Sequence, residues 1–260
     1  MAPVEILITW LLIFGAGVYF LAGTAFFLGG NRAGYGLFGC AWLVNALVLV
    51  MNGVICGHPP FGNMYHVLIF LSFSFLPMCL VLHFKEKQDW LHLYFAWLAV
   101  VPLVGALFLD RDVFWRRAPA LESPWFAPHV AAYMISYALA GVAFVLNARW
   151  FVRDRYRADD RCPGAAYQIL RLAVVFMTLG LGSGALWADE VWGGYWSWDR
   201  KEVWSLITWL LYVVHLHCWR TPSLRRGAFW TQFLGFIALL VTFLLVNLLP
   251  QLASFLHSYS

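Results

Sequence analysis

The chain has 260 residues, of which 62% are hydrophobic and 12% are charged, and its mean hydropathy is +0.72. A soluble domain has about 45–50% apolar and about 25% charged residues, so this composition excludes a soluble globule. The apolar residues fall in blocks of roughly 20, the length at which a helix crosses the hydrocarbon core of a bilayer. The net charge of +4 is scattered along the chain, which argues against nucleic acid as a partner.

We predict an all-α, polytopic integral membrane protein with about eight transmembrane helices, forming a single domain over residues 1–260. Each span is bounded by Gly, Pro or charged residues that end an apolar run. We expect the first block to be a retained helix, because no basic segment precedes it. The predicted spans are 5–29, 34–56, 66–84, 91–109, 129–151, 166–188, 202–219 and 228–249.

The loops predict the orientation, because Lys and Arg concentrate in short cytoplasmic loops. One set of alternate loops and their flanks carries twelve basic residues, namely Arg32, Lys85, Lys87, Arg149, Arg153, Arg155, Arg157, Arg161, Arg171, Arg220, Arg225 and Arg226. The opposite set carries five, namely Arg111, Arg116, Arg117, Arg200 and Lys201. We therefore expect both termini, the segment 110–128 and the segment 189–201 on the extracytoplasmic side.

The five cysteines form neither a CxxC nor a CxxCH motif. The chain therefore lacks a dithiol redox motif and a covalent haem-attachment site of its own. Its sequence also lacks a Ser-His-Asp arrangement, a nucleotide-binding loop and a metalloprotease motif.

The connection between the sixth and seventh spans is dense in aromatic residues. Six Trp and one Tyr fall within residues 187–209, interrupted by Gly193 and Gly194. An interfacial aromatic belt needs only two or three such residues, and the glycine pair permits close approach of the backbone. This pattern favours an aromatic platform on which a flat apolar ligand lies.

This segment, WGGYWSWDRKEVWSLITWLLY, resembles the tryptophan-rich WWD domain of the cytochrome c assembly family in its CcsA (ResC) form. Four further motifs are similar to that family: Gly57-His58-Pro-Pro-Phe-Gly-Asn63-Met-Tyr65, Ser123-Pro-Trp125-Phe-Ala-Pro-His129-Val130, Leu216-His217, and Leu256-His257-Ser-Tyr. Two positions depart from the family pattern. Arg200 stands where the family usually has Pro, which affects how the loop turns into the seventh helix. His66 stands where many family members have Glu.

The resemblance implies that haem b is the ligand and that the WWD loop, about residues 187–209, holds it. His129 opens the fifth span and His257 follows the eighth, both on the expected outer side. Two such imidazoles on opposite faces make haem iron six-coordinate. The loop residues expected at the macrocycle are Trp192, Gly193, Gly194, Tyr195, Trp196, Trp198 and Asp199.

A further haem ligand is expected inside the membrane. An ionisable side chain deep in a span indicates a functional site, and both His215 and His217 lie near the inner end of the seventh span. The resemblance selects His217 and leaves His215 as a packing or interfacial residue. It also implies that the second intramembrane ligand comes from a partner subunit of the CcsB (ResB) type.

The other polar groups receive weaker assignments. His58 and His66 lie in or beside the first outer loop and are available to contact haem or an acceptor, whereas His83 and His92 are expected to be solvated. The acidic residues of the Trp-rich connection, Asp189, Glu190, Asp199 and Glu202, suit the positive N-terminus of the following helix better than a catalytic dyad. Arg200 and Lys201 beside them are candidates to contact haem propionates.

The resemblance implies delivery of haem and its covalent attachment to the CxxCH segment of an apocytochrome c, on the outer face of a bacterial cytoplasmic membrane. The activity would be that of a holocytochrome c synthase acting as part of a complex, with no catalytic residue beyond those that position haem. A separate thioredoxin-like protein would keep the acceptor thiols reduced. Three alternatives stay open: a CcmC-like haem carrier without lyase activity, a HemX-like membrane regulator, and a b-type electron-transfer subunit.

Overall fold

The computed structural model describes residues 3–109, 118–154 and 161–245. Within these ranges nine α-helices are joined by turns: α1 (Pro3–Phe27), α2 (Asn31–Cys56), α3 (Met64–Phe73), α4 (Phe75–Glu86), α5 (His92–Leu107), α6 (Phe126–Arg149), α7 (Arg161–Trp192), α8 (Arg200–Arg220) and α9 (Arg225–Leu240). Single π-helical turns, Trp150–Asp154 and Val241–Leu245, extend α6 and α9. Three-residue 3₁₀ turns cover Asp89–Leu91, Pro119–Leu121 and Pro222–Leu224.

Seven helical segments of the described chain are long and apolar enough to cross a membrane: Pro3–Phe27, Asn31–Cys56, Met64–Glu86, Asp89–Leu107, Phe126–Arg153, Arg161–Trp192 and Pro222–Leu244. They confirm the prediction of an all-helical, polytopic integral membrane protein. The predicted span 202–219 coincides with α8, whose Trp and His residues lower its hydropathy without shortening it. That α8 crosses the membrane stays a prediction.

The predicted span 66–84 consists of two helices, α3 and α4, which meet at Ser74. Pro77 explains the break, because it lacks the N–H that would bond the carbonyl four residues earlier. That carbonyl belongs to Phe73, and the indole N–H of Trp42 donates to it at 3.0 Å. A side chain from α2 therefore satisfies the polar group that proline leaves open, as an apolar surrounding requires.

The chain forms two compact units, Met1–Leu121 and Glu122–Ser260. In the first unit α1 packs against α2 and α5, and α3 packs against α5. Buried aromatic and hydroxyl groups fix these contacts. The rings of Tyr19 and Phe38 meet edge to face at 5.6 Å, and the Ser72 hydroxyl donates to the Ala99 carbonyl at 2.7 Å.

In the second unit α6 packs along α7, and α8 packs along α9. The two pairs are joined by α7 against α8 and by α6 against α9. Between α6 and α9 the rings of Phe144 and Phe236 stack at 4.1 Å. Beside this stack the amide of Asn147 donates to the side-chain carbonyl of Gln232. This arrangement places the N-terminal end of α6 beside the C-terminal end of α7.

Candidate functional site

His129 lies in the first turn of α6, and its imidazole faces α7. Its Nδ1 atom is 2.8 Å from the carbonyl oxygen of Gly180. A carbonyl oxygen only accepts hydrogen bonds, so in the neutral ring Nδ1 carries the proton and the lone pair lies on Nε2. Metal-ligating histidines are held in this way, with one nitrogen donating to a carbonyl and the other bound to the metal.

The short distance between His129 and α7 depends on Gly184. A Cβ atom placed there would lie 2.5 Å from His129 Nδ1, and one placed at Gly180 would lie 2.9 Å from the Tyr133 ring. Small residues are what allow membrane helices to approach closely. The two glycines therefore create the recess on α7 that receives the rings of His129 and Tyr133.

Trp187 forms the wall behind this recess. Its side chain is 1% exposed, and its ring centroid lies 5.6 Å from that of His129 and 5.2 Å from that of Phe126. Trp192 continues the wall at 4.9 Å from Trp187. Trp187 therefore contacts both His129 and Trp192, the first residue of the predicted haem-binding segment.

The segment that enters α6 is tied to the end of α7 by a hydrogen bond. The Ser123 hydroxyl donates to the Glu190 carboxylate at 2.5 Å, and it accepts from the Trp125 amide N–H at 3.2 Å. The Glu190 carboxylate therefore fixes the position of the segment just before His129.

Only the middle of the predicted WWD segment, about residues 187–209, is a loop. Residues 187–192 continue α7 and residues 200–209 belong to α8, so the non-helical part is only 193–199. Its backbone turns at Gly193, with φ +75°, and at Trp198, with φ +61°. An aromatic residue in the left-handed region is uncommon, so Trp198 is held there by its surroundings.

The aromatic side chains of this short loop differ in exposure. Tyr195 is 59% exposed and Trp198 is 71% exposed, while Trp192 and Trp196 are half-buried. The rings of Trp196 and Trp198 meet edge to face at 5.9 Å. Large exposed aromatic rings indicate a binding surface, which is the feature that a flat apolar ligand requires.

The loop ends in a capping box at the start of α8. The Asp199 carboxylate accepts from the Lys201 amide N–H at 3.1 Å. The Glu202 carboxylate accepts from the amide N–H groups of Asp199 and Ser197, at 3.1 Å and 2.8 Å. These acidic groups satisfy helix N–H groups that lack partners, so in the structure Asp199 shapes the loop.

Lys201 follows this cap and precedes the predicted span 202–219. Burial lowers the pKa of its ammonium group to about 8, and the nearby Asp199 carboxylate opposes that shift. A half-buried lysine beside an aromatic loop is suited to pair with a carboxylate of a bound ligand.

His217 and His215 occupy different sides of α8. His217 is exposed on the surface of the chain, where a partner subunit can reach it. His215 is 1% exposed, and its Nδ1 atom lies 2.8 Å from the Ala228 carbonyl oxygen of α9. Among the described residues its Nε2 atom has no hydrogen-bond partner. Only one of the two ring nitrogens of this buried histidine is therefore hydrogen-bonded.

A cavity of about 280 Å³ lies beside His215. Trp150 contributes to its wall from the π-helical turn after α6, and Trp219 and Phe229 contribute from α8 and α9. Arg225 and Arg226 add positive charge at its edge. The sequence reasoning missed this cavity, because it used the two arginines only as markers of membrane orientation.

The remaining histidines differ in burial. His92 is 2% exposed and contacts Tyr35, so the expectation that it is solvated is wrong. His83 is half-buried and pairs with the exposed Asp89. His66 is fully buried in α3, whereas His58 is half-buried in the loop after α2. His257 lies outside the described residues.

Comparison with known proteins identifies the family. The sequence profile described as cytochrome C assembly protein matches residues 61–254. The chain belongs to the cytochrome c assembly protein family. Curated relatives include cytochrome c biogenesis proteins CcsA from Buxus microphylla, 29% identical over 263 residues, and from Oenothera biennis, 28% identical over 262 residues. In each case 82% of this chain and 81% of the relative are covered.

Membership in the cytochrome c assembly family gives this integral membrane protein a role in cytochrome c biogenesis. Handling of haem follows from that role. The matched residues include His129, the loop 193–199 and both histidines of α8.

Proposed function

We propose that this protein is the CcsA-type subunit of a membrane haem lyase, which receives haem b and presents it to an apocytochrome c. The observation that carries the proposal is the hydrogen bond from His129 Nδ1 to the Gly180 carbonyl at 2.8 Å. It orients an imidazole with its lone pair on Nε2, directly beside the end of the Trp-rich segment. Haem is the cargo and substrate of this site.

The aromatic loop adds a second element to the proposed haem site. The exposed rings of Tyr195 and Trp198 offer flat apolar area to the porphyrin, and Gly193 and Gly194 let backbone and macrocycle approach closely. Lys201 and Arg200 are placed after the loop to pair with the propionates. His257, which the family resemblance assigns as the second outer ligand, would complete a bis-histidine site.

The protein's contribution to attachment is positioning. Each thiol of the acceptor CxxCH segment adds across one vinyl group of haem, so that a carbon–sulfur bond forms and the thiol hydrogen ends on the neighbouring carbon. No net oxidation occurs in this step, and the thiols must arrive reduced, which a separate thioredoxin-like protein would ensure. Holding the vinyl edge toward the thiols raises their effective concentration, while axial imidazoles set the redox state of the iron.

The exposed position of His217 supports a second, shared haem site. A single imidazole on the lipid-facing or partner-facing surface of α8 supplies one ligand, so another chain must supply the other. A CcsB-type subunit is the partner that this proposal requires. The distribution of Lys and Arg supports a Trp-rich loop on the outer side of the cytoplasmic membrane. In this proposal haem enters from the opposite side.

The proposal is tested by cytochrome c maturation in cells that carry this protein, a CcsB-type partner and an apocytochrome with one CxxCH segment. His129→Ala should reduce covalently bound haem by at least tenfold. Gly182→Ala is the control on the same helix, since a Cβ atom at Gly182 meets no atom within 4 Å. Equal maturation by both variants would contradict the proposal, and haem bound without thioether formation would indicate a carrier.

A further inference from the structure

A second cluster of metal-ligating side chains lies in the first unit, where α4 turns into α5. His83 lies in the last turn of α4, Asp89 opens the 3₁₀ turn, and His92 begins α5. Each offers one ligand atom, and the three atoms lie within 4.8 Å of one another. No part of the proposed haem site uses these residues.

The contacts within the cluster are close. His83 Nδ1 lies 2.6 Å from Asp89 Oδ1, and the ring centroids of His83 and His92 are 5.2 Å apart. The Tyr35 hydroxyl of α2 lies 2.8 Å from His92 Nδ1 and 3.1 Å from His92 Nε2. The hydroxyl therefore contacts the ring edge between the two nitrogens and fixes the position of the His92 ring beside the cluster.

The turn itself holds the three groups together. Lys87 adopts a left-handed conformation, with φ +53°, and its amide N–H donates to the His83 carbonyl at 3.0 Å. This ends α4 and reverses the chain. The His92 N–H then bonds the Asp89 carbonyl, which fixes the aspartate against the first turn of α5.

The side chains of the cluster range from buried to exposed. His92 is 2% exposed, whereas the Asp89 side chain is 67% exposed. An ion can therefore enter from the aqueous side through Asp89 and reach a buried imidazole. His92 supplies the buried donor of the cluster, and Asp89 supplies the accessible one.

We propose that His83, Asp89 and His92 bind one divalent transition-metal ion of the zinc or iron(II) type. Two imidazoles and one carboxylate suit these ions, and three protein ligands leave a position for water or for the Tyr35 oxygen. Ligands at about 2.1 Å from an ion are about 3.0 Å apart at right angles and about 3.4 Å apart in a tetrahedron. The 2.6 Å between His83 and Asp89 therefore needs to open by about 0.4–0.8 Å.

Zinc binding to the detergent-purified full chain, prepared with a histidine-free tag, tests this proposal. Competition with a chromophoric chelator should show one Zn²⁺ per chain, and Asp89→Asn should weaken binding by at least tenfold. Asp89→Asn changes an exposed side chain, so a failure to fold is not expected. Glu86→Gln is the matched control, because Glu86 is a nearby carboxylate outside the cluster.

A second readout separates coordination from loose charge pairing. Co²⁺ in place of Zn²⁺ should give visible absorption bands in the wild type and in Glu86→Gln, and His92→Gln should remove them. Zn²⁺ should also raise the unfolding temperature of the wild type but not of Asp89→Asn. Absence of stoichiometric binding, or equal binding by wild type and Asp89→Asn, would overturn the proposal. Haem content measured in the same samples keeps this result separate from the lyase proposal.

Discussion

The ring of His129 lies so close to Gly184 that a single added carbon atom would reach 2.5 Å from its Nδ1 atom. Helix α7 therefore holds this imidazole both through the Gly180 carbonyl and through the space that Gly184 leaves. A residue with no chemistry of its own thus controls the orientation of the proposed outer ligand.

Gly184→Ala should displace His129 and reduce haem binding and cytochrome c maturation by roughly tenfold or more, since small misplacements of a reacting group are costly. Gly182→Ala is the control, because a Cβ atom at Gly182 meets no atom within 4 Å. The measurement is haem content per purified chain. Equal haem content in the two variants would contradict the role given to Gly184.

Lys201 predicts a dependence of haem retention on pH. Its pKa is lowered to about 8, so the ammonium group is largely charged at neutral pH and loses its charge as the pH rises through that value. If it pairs with a propionate, the propionate raises this pKa in the complex, so haem affinity should fall as the pH rises above about 8. Lys201→Arg, which stays charged, should abolish this dependence. A wild-type affinity that is flat with pH would exclude the pairing.

The two histidines of α8 should respond differently to replacement. His217→Ala removes an exposed side chain, so it should leave thermal unfolding of the isolated chain unchanged and lower haem content only in the complex with the partner subunit. His215→Ala removes the bond to the Ala228 carbonyl and should lower the free energy of unfolding by about 1–3 kcal/mol. Thermal unfolding and haem content of both variants, alone and in complex, distinguish the roles. The reverse pattern would move the inner ligand to His215.

Trp42 should stabilise the break between α3 and α4. Trp42→Phe leaves the Phe73 carbonyl without its indole donor and should cost about 1 kcal/mol of unfolding free energy, the usual magnitude for a hydrogen bond between membrane helices. Trp10→Phe on the exposed face of α1 is the control, as Trp10 is 65% exposed. Equal stability of the two variants would show that the bond contributes nothing measurable.

The sequence predicts the spans well, because an apolar run of about 20 residues has few structural outcomes in a bilayer. The predicted span 202–219 begins two residues after the start of α8, which the sequence marks with a capping box, Asp199 followed three residues later by Glu202. The sequence overestimates the Trp-rich loop, because aromatic density does not reveal that α7 continues to Trp192.

The burial of His92 and the recess at Gly184 depend on tertiary packing, and single-residue patterns do not encode that packing. One local signal was available: His83, Asp89 and His92 flank one short charged turn, and that spacing is compatible with a metal site. The expectation that histidines in such a turn are solvated argued against a metal site there. The choice of His217 over His215 as the inner ligand rests on the family resemblance and stays a prediction.

The central claim is that His129 ligates haem iron beside the Trp-rich loop, and the ferrous haem spectrum of the protein purified with its CcsB-type partner tests it most directly. The account predicts a bis-imidazole spectrum for the wild type and for Gly182→Ala. His129→Ala and His257→Ala should each perturb that spectrum, and added imidazole should restore it. An unchanged spectrum in both histidine variants would contradict the account.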